Sequence, residues 1–132
     1  MNTVTLVRDA ASDEFFEGTA RGELPLRHCA DCGTWNAPHT VSCRSCRSGR
    51  LTWEPARGTG KLVSWTVVHG RRADDGPAPR SLAGLVELDE GPWLHARIEV
   101  ADPTRLRAGL PLAVAFDRPY GGDAAPVFHL AD

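Results

Sequence analysis

Lysine is all but missing from this sequence. Of 15 basic residues in 132, only Lys61 is not an arginine, and 17 acidic residues bring the formal net charge to −2. Tyrosine occurs once. A surface that grips a phosphate backbone is normally basic and carries exposed stacking aromatics. Nucleic-acid binding is therefore kept only as the alternative reading. No stretch approaches the roughly 18 consecutive apolar residues of a membrane helix. The first residues, Met1 to Asp9, lack a basic region followed by an apolar core, so no secretory signal is expected and the expected compartment is the cytoplasm. Also missing are a Gly-x-Ser-x-Gly elbow, a phosphate loop and a dinucleotide fingerprint. The acid–base candidates are His69, His95, His129, Glu87, Glu99, Asp89 and Glu90. His95 alternates onto one strand face with Trp93, Arg97 and Glu99, opposite an aliphatic face, which reads as a solvated outer surface. The residues thus make no positive case for self-contained catalysis.

What the chain does have is four cysteines in two pairs, Cys29-x-x-Cys32 and Cys43-x-x-Cys46, and no others. A C-x-x-C turn puts two thiolates on one side of a tight knuckle. Two facing knuckles make a tetrahedral sulfur site, which zinc fills at about 2.3 Å per bond. In a reducing compartment such pairs read as metal ligands more readily than as a disulfide framework. Iron is the competing metal, because four thiolates also hold iron. Four sulfurs leave no open coordination position, so the metal is expected to be structural. His28 and His39 lie near it in sequence but are not needed as ligands. Every cysteine is committed to a pair, which argues against a catalytic cysteine.

Around the knuckles, Ser12 with Asp13 and Glu14 predicts a short helix start. Phe15 and Phe16 supply its apolar anchor, for docking either on the fold or on a partner, and Gly18 or Gly22 ends it. Leu51 to Glu54 predicts a short strand. From Gly58 the hydrophobic period becomes two. Strands are predicted over 61–68, 81–88, 93–100, 112–116 and 127–130, with Leu94, Ala96, Ile98 and Val100 facing inward. Asp102-Pro103 predicts a one-turn helix between the third and fourth strands, stopped at Gly109. Five strands with a helix at that position match an OB-type barrel, and Gly84 inside a strand suits a tightly curved one. The expected fold is mainly β: a short N-terminal helix, a rubredoxin-like zinc ribbon and a C-terminal five-stranded OB-fold barrel, divided as 1–55 and 56–132.

The motifs recur together in one order: the Phe pair, His-Cys-x-x-Cys-Gly at 28–33, Cys-x-x-Cys at 43–46, Leu-x-Trp at 51–53, Gly-x-Gly at 58–60, Ser-Trp-Thr-Val-Val-His at 64–69, Leu-Val-Glu-Leu-Asp-Glu-Gly-Pro at 85–92 and Pro-Val-Phe at 126–128. From about residue 12 to the end, the chain resembles the zinc-ribbon plus OB-fold family called domain of unknown function 35, associated with acyl-CoA metabolism. The resemblance implies an accessory subunit rather than a stand-alone catalyst. Its partner would be a thiolase-like enzyme (aldolase or ketosynthase) or a hotdog-fold enoyl-CoA hydratase, and the acyl-CoA ester would be a further ligand. One position departs from the family pattern: Arg47 follows Cys46 where glycine is common, and glycine there would ease a positive φ. Holding CoA requires cations for its phosphates and an aromatic platform for adenine. Arg71, Arg72 and Arg80 are the candidate cations. Trp65, Trp93 or Tyr120 is the candidate platform, although Trp65 at strand spacing also reads as a core residue. Phe15 and Phe16 are the candidate docking residues.

Overall fold

The computed structural model describes residues 12–69, 80–118 and 123–131. Arg71, Arg72 and Tyr120 lie outside the described residues, and Arg80 is described only as the backbone partner of His69. Helix α1 (Asp13–Ala20) opens at Ser12, whose side chain makes no capping bond, so the acidic residues of the first turn are left to complement the helix dipole. It ends past Arg21, with Gly22 at φ 79°. Gly18 lies inside the helix, not at its end. A side chain there would collide with the Pro25 ring, so its absence lets α1 lie on the next strand.

That strand is β1 (Leu24–Cys29), the centre of a three-stranded antiparallel sheet with β2 (Trp35–Asn36) on one side and β3 (Leu51–Ala56) on the other. The barrel follows as β4 (Thr59–His69), β5 (Arg80–Leu88), β6 (Trp93–Ile98), β7 (Pro111–Asp117) and β8 (Ala125–Leu130). It closes in the order β4-β5-β6-β8-β7, with β6 and β8 parallel and the other neighbours antiparallel. The expected OB-type barrel is what forms. The predicted turn of helix is a 3-10 helix of three residues, Pro103–Arg105. It is capped as expected, with the Asp102 carboxylate accepting from the Thr104 amide at 3.0 Å. It stops at Leu106, well short of Gly109. The third barrel strand likewise ends at Ile98, two residues early, where the Glu99 amide turns to the Phe128 carbonyl.

One apolar cluster runs through both parts. Leu24 and Leu26 of β1 belong to it with Leu62, Val86, Leu88, Ile98, Leu112 and Phe128 of the barrel. Two glycines permit the tight closure. At Gly60 a Cβ would strike the backbone carbonyl oxygen of Glu87, which cannot move without breaking the β4–β5 ladder. At Gly84 it would meet the side-chain ends of Ile98 at 2.7 Å and Leu62 at 3.2 Å, which can shift. Gly60→Ala should therefore cost about 3 kcal/mol and Gly84→Ala about 1 kcal/mol, at the two ends of the usual overpacking range. Urea unfolding of both variants checks the order; equal losses would show that the barrel yields at both positions alike.

Candidate functional site

The ribbon is built by two turns of matching form. In the first, the Gly33 amide donates to the Cys29 carbonyl at 2.9 Å; in the second, the Arg47 amide donates to the Cys43 carbonyl at 2.9 Å. Both turns need a left-handed residue at that point. Gly33 takes φ 77° without cost, whereas Arg47 takes φ 64° and is the only non-glycine residue with positive φ among those described. The doubt raised by Arg47 in the sequence thus has a physical basis, yet the knuckle forms. The Ser48 hydroxyl on the Asp31 carboxylate and the Arg50–Asp31 ion pair at 3.0 Å hold the two knuckles together from the outside.

The four Sγ atoms lie within 4.8 Å of one another. The closest pairs cross between knuckles: Cys29 to Cys46 at 3.5 Å and Cys32 to Cys43 at 3.6 Å. Four sulfurs about 2.3 Å from a common centre would stand roughly 3.8 Å apart by tetrahedral geometry. The arrangement fits a metal. Among the described residues no histidine or carboxylate joins the cluster. His28 instead stands edge-on to Trp35, 4.8 Å between ring centroids, and His39 is exposed.

The surroundings of the sulfurs point the same way. The Cys46 backbone N–H, followed by that of Ser45 and by the Asn36 amide, brings the Cys43 thiol down to about 6 despite burial. At Cys46 the Ser48 amide acts downward, but the thiols of Cys29, Cys32 and Cys43 together push it up to about 12. Cys32 is lowered, chiefly by the Thr34 hydroxyl. The protein thus favours the thiolate at some of the sulfurs and the protonated thiol at another. A divalent cation at the centre removes that conflict. Four clustered cysteines in this setting suggest a structural metal.

Asn36 is the residue of this centre that sequence reasoning missed. It is fully buried, its Nδ2 lies 3.7 Å from Cys43 Sγ, and its Oδ1 accepts from the Arg44 amide at 3.0 Å. The available signal was an amide side chain beside Trp35 in the short stretch between the knuckles.

Two surface recesses lie away from the sulfurs. One, of about 600 Å³, is bounded by Phe15 and Phe16 of α1, Arg27 of β1, Pro38 and Val41 of the ribbon, and Trp53 of β3. It brings the two candidate docking phenylalanines together, packed edge-to-face at 5.4 Å, and both are half-buried. The other, of about 920 Å³, lies on the barrel between Val67, Leu82, Ile98, Val100 and Pro103, with His129 at its wall. Arg97 also lines it, but its guanidinium is taken by Asp117 at 2.7 Å and Glu99 at 3.1 Å.

Trp65 is not a core residue, as strand alternation had suggested. The β4–β5 register shifts between Leu62 and Ser64, and this bulge resets the alternation. Trp65 then pairs with Gly84 and Val67 with Leu82, yet 39% of Trp65 and 44% of Val67 remain exposed. Trp93 is also exposed, and its indole donates to Glu87 at 3.3 Å.

Comparison with known proteins gives consistent matches. Residues 16–52 match the model described as the ChsH2 rubredoxin-like zinc ribbon domain, and residues 53–117 match the ChsH2 C-terminal OB-fold domain. A probable enoyl-CoA hydratase alpha subunit of Thermomonospora curvata is 30% identical over 102 residues, which are 76% of this chain and 31% of that protein. The 3-oxo-4,17-pregnadiene-20-carboxyl-CoA hydratase alpha subunit of Mycobacterium tuberculosis is 28% identical over 102 residues, 77% of this chain and 32% of that protein. The chain therefore spans about a third of the length of these two relatives. Among solved structures, a chain of an "Ltp2-ChsH2(DUF35) aldolase" superposes with a TM-score of 0.81 at 25% identity, covering 96% of this chain and 99% of that one.

Two outcomes are expected at the sulfur site. Arg47→Gly should raise stability by about 1 kcal/mol at unchanged metal content, because it relieves the left-handed backbone, while Arg47→Ala should not. Chemical denaturation of the pair checks this; equal effects would mean that φ is not the cause. Cys29→Ser or Cys46→Ser should abolish metal binding and lower the melting temperature by about 10 °C or more, since a structural metal's binding energy is folding energy. Metal analysis with a thermal melt checks it; full stability without metal would refute a structural role.

Proposed function

This chain belongs to the ChsH2/DUF35 family, and on that premise we propose that it is a non-catalytic accessory subunit of an acyl-CoA-processing complex. Its partner is a thiolase-like enzyme, of aldolase or ketosynthase type, or a hydratase-like one. Cys29, Cys32, Cys43 and Cys46 hold zinc, which shapes the ribbon and takes no part in chemistry, since four thiolates leave no site for water or substrate. The ribbon and α1 supply the docking surface. The barrel cleft, lined by Val67 of β4, receives part of the CoA ester, and Trp65, exposed on the same strand, is the aromatic platform. The compartment is the cytoplasm, where thiols stay reduced.

One observation carries the reading. The likeness to the aldolase chain extends over nearly the whole of both chains, ribbon and barrel together, so it is not a likeness of two common folds taken separately. The two hydratase alpha subunits widen the range of partner chemistry on the same unit. The chemistry of the cleft agrees. Arg97 is neutralised by two carboxylates, which suits a wall and not a catalytic cation.

The test is purification of a tagged chain from its native host, with metal analysis of the same sample. A thiolase-like or hydratase-like enzyme should co-purify, with about one zinc per chain as one tetrathiolate site requires. Acyl-CoA turnover should require the partner. Nucleic acid recovered in place of such an enzyme would overturn the reading, as would acyl-CoA turnover by the chain alone.

A further inference from the structure

We infer that the groove between α1 and the ribbon seats a segment of a partner protein that carries a carboxylate flanked by apolar side chains, with Arg27 as its counter-charge. The identity of the occupant as a partner protein rests on the accessory-subunit reading. The chemistry of the segment does not.

Arg27 sits on the central strand of the small sheet, between Asn36 of β2 and Trp53 of β3. Arg27 is half-buried there. Its guanidinium carbon stands 4.6 Å from the centre of the Trp53 ring, and its Nε is buried with no hydrogen-bond partner. Stacking on an indole satisfies one face of a guanidinium and leaves the donors along its edge unmet. Arg97 has an equally unpartnered Nε, but its Nη2 holds two carboxylates, and Arg21 and Arg50 hold one each, whereas no ion pair joins Arg27 to a carboxylate among the described residues. Glu14 is the carboxylate that lines the groove among the described residues, and no ion pair joins it to Arg27.

The rest of the groove is mixed: Ser12, His39 and Thr40 line it together with apolar side chains. Phe15, Phe16 and Pro38 line it, and Val41 stands at its edge with 84% of its surface exposed. A free anion would use the guanidinium and the polar lining but gain nothing from Phe15, Phe16, Pro38 and Val41. A protein segment with a carboxylate between apolar side chains uses both, and a recess of about 600 Å³ admits a few side chains. A partly desolvated arginine at the centre of an apolar patch is the usual composition of a binding hot spot.

The experiment places the photo-crosslinker p-benzoylphenylalanine at position 41 of the full chain in the native host. Crosslinked peptides are then mapped by mass spectrometry. The expected product joins position 41 to a segment with Asp or Glu among apolar residues. Arg27→Gln should lower its yield at least fivefold, with Arg27→Lys between, at unchanged metal content and melting temperature. Crosslinks to residues 1–11 of the same chain, to a second copy, to a segment without a carboxylate, or to nothing would each overturn the inference. So would an unchanged yield in a folded Arg27→Gln chain. If that variant does not fold, the wild-type crosslink map alone decides. An acidic–apolar segment from a protein without acyl-CoA chemistry would leave this inference standing and remove the proposed function. An acyl-CoA enzyme captured through a segment lacking a carboxylate would do the reverse.

Discussion

The ribbon depends on four sulfur atoms brought within reach of one centre, because it has almost nothing else. Between residues 30 and 50 only Asn36 and Cys43 are buried, and regular structure there is limited to Trp35 and Asn36. A loop of this length cannot offset its ordering entropy with so little apolar burial. Neither can it tolerate four thiolates gathered together without a cation. The amides of Ser45, Cys46 and Ser48 point at sulfur and stabilise charge there, but hydrogen bonding to the neighbouring sulfurs and burial still push Cys46 up to about 12. A metal resolves both problems at once. It gives the loop an interior and neutralises the charge. The strained φ of Arg47 is tolerable for the same reason, since ligation over-determines the turn.

The order imposed at the sulfurs passes outward through few steps. Asn36 joins Cys43 to the Arg44 amide, and the Arg44 side chain donates to the Trp35 carbonyl at 3.1 Å. Arg44 also lies against Gly91, in the turn between β5 and β6, where a Cβ would come within 3.1 Å of its Nη2. That turn is tied back to the start of the barrel: Glu90 accepts from the Arg57 amide at 2.8 Å, and the Thr59 hydroxyl bonds Asp89. On the other side, Leu24 and Leu26 enter the barrel's own apolar cluster. Ribbon and barrel are thus joined by shared packing and by one polar seam. A surface that draws residues from α1, β1, β3 and the ribbon can then be held in a fixed shape, as the groove around Arg27 requires.

Much of this was legible in the sequence, and the reasons differ by element. The knuckles were readable because C-x-x-C spacing admits few geometries. The barrel strands were readable because a closed sheet with a filled interior imposes strict alternation, as Leu94, Ala96 and Ile98 show. Trp65 was misplaced because alternation reports which face a side chain is on and not what covers that face: the bulge sets Trp65 opposite buried Gly84, yet 39% of it stays exposed. β1 was not read as a strand because Pro25 and a run of mixed polarity obscure it, although its register with β3 is continuous over six residues. Ser12 has the right residue type for a cap but makes no capping bond, since local type constrains only what is available. Arg27 was missed because its meaning depends on two neighbouring strands that no local pattern reveals. The candidate cations Arg71 and Arg72 fall outside the described residues, so the phosphate-binding expectation remains a proposal.

The interior of the barrel constrains what the chain can do. Leu62, Val86, Leu112 and Phe128 are at most 1% exposed, and they fill the space that a larger barrel would offer to a ligand. An acyl chain cannot be enclosed there. Any ligand must lie against an outer cleft open to solvent on one side, and water-sensitive or charge-developing chemistry needs a drier setting than that. An open cleft with its arginine already paired, a four-sulfur site with no position left for substrate, and an arginine without a carboxylate partner among the described residues each fit a surface-presenting role better than an enclosed active site. A small filled barrel thus offers surfaces and not an enclosure, which is the physical ground on which the accessory-subunit proposal stands.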